Sequence, residues 1–65
     1  MKPNPLNEEQ AHFLETRLIP FTESLGAHHH NCVDRFRTIL KLKSYNLYDK
    51  VLIELLMNEL RKSLS

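Results

Sequence analysis

The sequence is poor in most of what small proteins lean on. It holds a single cysteine, Cys32, so no disulfide can form within the chain. It holds a single glycine, Gly26, and no glycine-rich loop of the kind that cradles a phosphate. The opening segment MKPNPLNEEQ lacks the apolar stretch of a secretory signal, so none is expected. The richest apolar run, VLIELLM, is interrupted by Glu54. It falls far short of the roughly 20 apolar residues a membrane span needs. There is no low-complexity tract, no internal repeat, and no strict two-residue alternation of a half-buried strand. The net charge of +1 gives no bulk attraction to a polyanion. A lone cysteine without an export signal fits a reducing, cytoplasmic location.

Sixty-five residues form one domain at most, here taken as residues 1–65 with a flexible N-terminal arm over 1–6. Such a chain buries only about 60% of the surface its unfolded form exposes, so its core is marginal. Small folds usually add a disulfide, a structural metal or a partner chain. The disulfide is excluded. A structural zinc normally needs four Cys or His ligands at ordered spacing. In AHHHNC, His28, His29, His30 and Cys32 are crowded together, and the only other candidate is His12. Three adjacent side chains on a helix leave it about 100° apart and cannot converge on one ion. Neither a metal nor a cofactor is expected, which leaves association between chains.

Period and punctuation predict an all-α protein of three helices. The first starts at Asn7, with Gln10 completing a capping box and Glu8 and Glu9 favouring the positive helix end. Leu6 and Ala11 stand at the staple positions. Leu14, Leu18, Phe21 and Leu25 form its stripe, and Gly26 ends it in the left-handed conformation. Pro20 lies inside this stripe, removes the bond back to Thr16, and predicts a kink or short break. The second helix covers about residues 28–43, with Val33, Phe36 and Leu40 inward and His29 on the same face; Asn31 is an alternative cap. After a turn at Ser44, Tyr45 and Asn46, the third helix runs from about Leu47 to Lys62.

The middle of that third helix, VLIELLMNEL, is apolar nearly all round. A surface helix normally shows one apolar stripe and an opposite polar face. The excess predicts a symmetric homodimer centred on this helix. Its interface is expected at Val51, Leu52, Ile53 and Leu55, continuing through Leu56, Met57 and Leu60. Phe13 and Ile19 lie off the first helix's stripe and suggest a second apolar patch. With Tyr45 and Tyr48 beside the turn, and His29, they are the expected partner-binding residues.

Catalysis has little support: the chain is too small for a deep pocket, Cys32 falls beside the inner stripe, and no catalytic site is expected. Charge is segregated. Residues 1–25 carry two basic against four acidic side chains, whereas residues 26–50 carry five basic against two acidic. Arg35, Arg37, Lys41 and Lys43 on the second helix are the possible phosphate contacts of a DNA-binding regulator. The third helix is too apolar to read base edges. The expectation is therefore a small regulator, without catalysis or membrane attachment, that masks or bridges another protein such as a transcription factor or an enzyme complex. A DNA-binding regulator is one alternative, and a structural or chaperone-like subunit of a larger assembly is the other.

Overall fold

A computed structural model describes residues 3–26 and 29–64 of the chain. The protein is all-α apart from a two-stranded bridge. In order come β1 (Asn4–Pro5), α1 (Glu8–Phe13), a π-helical segment (Leu14–Leu18), α2 (Ile19–Ser24), α3 (His30–Leu42), β2 (Ser44–Tyr45) and α4 (Leu47–Leu64). The segments from α1 to α2 follow one another without a break, so the described residues form three helical units, as the apolar periods predict.

The first unit begins as its sequence dictates. The Asn7 side chain accepts from the Gln10 N–H at 2.7 Å, and the Gln10 side chain accepts from the Asn7 N–H at 3.0 Å. Two of the four N–H groups that a helix start leaves unpaired are thereby satisfied. At the other end Gly26 takes φ +97°, the left-handed geometry expected of it. Its N–H donates to the Glu23 carbonyl at 3.2 Å.

Pro20 neither breaks the helix nor leaves its stripe intact. Just before it the ladder widens: the Ile19 N–H donates back five residues to the Leu14 carbonyl. The wider turn absorbs the position where proline has no N–H to offer. It also adds about one residue of phase, so the inward face rotates. Leu14 and Leu18 are buried as the sequence predicts, but beyond them Ile19 and Thr22 turn inward. Phe21 is only half-buried and Leu25 is exposed. Ile19 is therefore a core residue, which corrects its assignment to a partner-binding patch. The Thr22 hydroxyl, fully buried, donates to the Leu18 carbonyl at 2.8 Å, so its burial leaves no unmet donor.

The core lies between this first unit and α3. Leu14, Leu18 and Ile19 meet Val33, Phe36 and Ile39, with Leu56 closing the cluster from α4. Phe36 and Ile39 are wholly buried, whereas Leu40, expected on the inner stripe, is only half-buried. The start of α3 falls at His30, between the two starts the sequence allows. His29 is the cap residue and makes no side-chain capping bond. Ala27 and His28 lie outside the described residues.

α3 ends at Lys43 in the left-handed region, φ +56°, where a non-glycine residue is unusual. The Lys43 N–H donates to the Ile39 carbonyl at 2.8 Å, and the Lys43 carbonyl accepts from the Leu6 N–H at 3.0 Å. Beside it Asn4 pairs with Tyr45 and Pro5 with Ser44, antiparallel. The arm expected to be flexible is thus fastened from Asn4 to the turn between α3 and α4. No alternation announces so short a bridge: backbone pairing decides it, and side-chain period carries no signal at that length.

α4 is attached thinly. Only Asp49 and Leu56 of its described residues are buried. Its anchor is polar. The Arg35 Nε donates to Asp49 Oδ1 at 2.5 Å and Nη2 to Oδ2 at 2.8 Å, a two-pronged pair between α3 and α4. Asp49 Oδ2 also accepts the Asn46 N–H at 2.9 Å, and the Asp49 N–H donates to the Asn46 side chain at 2.8 Å. Asn46 and Asp49 thus repeat at the start of α4 the reciprocal cap that Asn7 and Gln10 make at the start of α1.

Candidate partner-binding surfaces

Two surfaces stand out, and both involve α4. The first is its outward face. Leu47, Tyr48, Val51 and Leu55 recur at steps of one, three and four residues, which places them on one side of a helix. Tyr48 is 89% exposed and the other three are more than half exposed. Of the residues expected at a dimer interface, Val51 and Leu55 belong to this outward stripe. Leu56 instead points into the core. Leu52, Ile53, Met57 and Leu60 are half-buried, and the first three pack against that core. The excess of apolar surface on the third helix is therefore real, but it divides between two sides.

The second surface is a groove of about 360 Å³ between the first unit and α4. Leu6, Phe13, Leu14, Tyr45, Ile53 and Met57 form its apolar walls. Glu9, Gln10, Lys50 and Glu54 stand at its lips. Phe13 and Tyr45, both expected to bind a partner, are brought together here. Tyr48 is not: it belongs to the outward stripe. His29 is half-buried at the start of α3 and does not line the groove; its Nδ1 is buried and without a hydrogen bond among the described residues.

The basic residues of α3 do not form one open patch. Arg35 is committed to Asp49. The pair holds the Asp49 carboxyl below the usual carboxylate range, chiefly through the hydrogen bonds from Arg35 and against the cost of burial. The same hydrogen bonds raise the Arg35 guanidinium above its ordinary value. Arg37 lies 3.5 Å from Glu23 across the surface. Lys41 and Lys43 are exposed. Assigning Arg35 to phosphate contacts is thereby corrected: its fork is filled by a carboxylate.

The Arg35–Asp49 pair was missed in the sequence because it joins residues fourteen apart on separate helices. The local half was legible. Asn46 followed three residues later by an acidic side chain is a capping pattern, and it marks Asp49 as a residue that turns back to its own helix start.

Among the described residues no three His, Cys, Asp or Glu side chains come together as metal ligands. His12 is exposed on α1, and His30 lies 3.7 Å from Asp34 at the surface. Cys32 is half-buried beside the core. No described helix is long and apolar enough to cross a membrane. No protein family matches the chain, and neither does any curated protein or solved structure.

Proposed function

We propose that the protein is a small cytoplasmic regulator that acts by binding, first a second copy of itself and then another protein whose surface it masks or bridges. The observation that carries this reading is the outward stripe of α4. Four large apolar side chains, Leu47, Tyr48, Val51 and Leu55, stand exposed on one helix face of a chain too small to cover them. A contiguous apolar patch of this kind marks an association surface. Two such helices packed across a twofold axis bury the same residues on both sides, so a single stripe suffices. The DNA-binding alternative loses support, because two of its four cations, Arg35 and Arg37, are paired with carboxylates.

Light scattering tests the association. The wild type should give a dimer mass at micromolar concentration, and Val51→Glu with Leu55→Glu should give a folded monomer. Both positions are exposed within the chain, so the substitutions leave its core untouched. A wild type that stays monomeric, and that retains no protein in affinity capture from cell extract, overturns the reading.

A further inference from the structure

We infer that the groove between the first unit and α4 takes an apolar side chain from a basic amphipathic segment of the partner protein. This rests on the protein-binding reading above and specifies the partner's chemistry. The groove's size, about 360 Å³, lies at the small end of sites that enclose a ligand, enough for one or two large side chains. Its walls are aromatic, aliphatic and thioether groups from four elements: Phe13 from α1, Leu14 from the π segment, Tyr45 from β2, and Ile53 and Met57 from α4. A methionine in such a wall adapts to anchors of different shape.

The lips supply the sign of the partner. Glu9 stands on the α1 side, and Glu54 on the α4 side. Both are exposed, and neither carboxylate has an ion pair or hydrogen bond among the described residues. Among the described residues, Lys50 is the lone cation on these lips. It forms no ion pair with Glu54, four residues away on the same helix. Two unneutralised carboxylates on opposite sides of an apolar slot suit a segment with a large apolar side chain flanked by Lys or Arg. An amphipathic helix presents that combination, an apolar stripe bordered by cations. An acidic segment would meet both carboxylates and is disfavoured; rim charges act in this way to select a partner.

The two surfaces occupy different sides of α4, so the groove can be tested with the stripe disabled. The background is the Val51→Glu, Leu55→Glu chain, its fold verified by circular dichroism. The probes are two fluorescein-labelled helical peptides sharing one leucine pattern, one with lysine and the other with glutamate at every remaining position. Anisotropy should show the lysine peptide binding at least about tenfold more tightly than the glutamate peptide. Glu9→Gln with Glu54→Lys, both at exposed positions, should abolish that preference. Methyl resonances of Ile53 and Met57 should shift on titration while those of Leu25 and Leu64 stay still. Equal binding of both peptides, shifts that miss Ile53 and Met57, or no binding of the lysine peptide each overturns the groove assignment. None of these results touches the dimer mass of the wild type, so failure of the groove and failure of the association reading remain distinguishable.

Discussion

Removing the Arg35 guanidinium tests how α4 is held. With Arg35 in place Asp49 is 3% exposed; Arg35→Ala takes away its charged partner and leaves it accepting the Asn46 N–H. Breaking a buried pair from one side costs roughly 3–5 kcal/mol when both charges are enclosed. Here the Arg35 side chain is 42% exposed, so water screens part of the pair and the cost falls to the lower end of that range or just below it. A loss of about 2–3 kcal/mol is expected near neutral pH. For a chain of this length the total stability is roughly 3–10 kcal/mol, so the variant should be visibly weakened and still folded in the cold. Urea melts followed by circular dichroism measure it.

The same pair fixes the acid response. The folded-state pKa of Asp49 is depressed, so its contribution is complete above the ordinary aspartate value, about 3.9. It is lost as pH falls through the lower, folded value. The gap between wild type and Arg35→Ala should therefore be widest near neutrality and shrink in strong acid, where both chains carry a protonated Asp49. A gap within about 0.5 kcal/mol near neutrality, the size of an ordinary surface change, would refute the reasoning. So would a gap that is the same at every pH.

Other positions report on the backbone and the core. Ile19→Ala should cost about 2–4 kcal/mol by thermal or urea denaturation, and Leu25→Ala less than about 1. The reverse order would mean that the inward face does not rotate at the π turn. Gly26→Ala should cost about 1 kcal/mol through backbone conformation alone, since an added Cβ meets nothing within 4 Å. Lys43→Gly should raise stability by about 0.5–1 kcal/mol, because glycine adopts the left-handed turn at the end of α3 without strain; a drop in melting temperature would refute this.

The parts of the fold written in local pattern were legible in the sequence. Asn7 with Gln10, Gly26, and the Val33–Phe36 stripe each act within a turn or two of helix, where residue type and spacing decide the outcome. What was not legible depends on partners distant in the chain or on a shift of phase. Pro20 announces a disturbance, but the chain could answer by kinking, breaking or widening a turn. The widened turn moves Ile19 and Thr22 inward and leaves Leu25 outside. The apolar excess of α4 was visible in VLIELLM, but its division between groove and stripe depends on where Asp49 and Leu56 dock. The clasp from Asn4 to Tyr45 left no trace because it pairs the backbones of two segments distant in the chain.

The thin attachment of α4 gives the molecule two tiers of protection. Amide hydrogens in α3 sit over a core shared with the first helical unit, and their exchange with solvent should require global unfolding. Those of α4 are held by one buried leucine, a ring of half-buried neighbours and the Asp49 anchor. Releasing that helix exposes far less apolar surface than unfolding the whole chain, so its amides should exchange through a smaller, separate opening. Both proposed binding surfaces involve this thinly attached helix. A partner that bridges α4 to the first unit should slow exchange most where the free protein opens most readily, so that protection by a ligand appears first in Leu52–Leu60 and only later in Val33–Leu40.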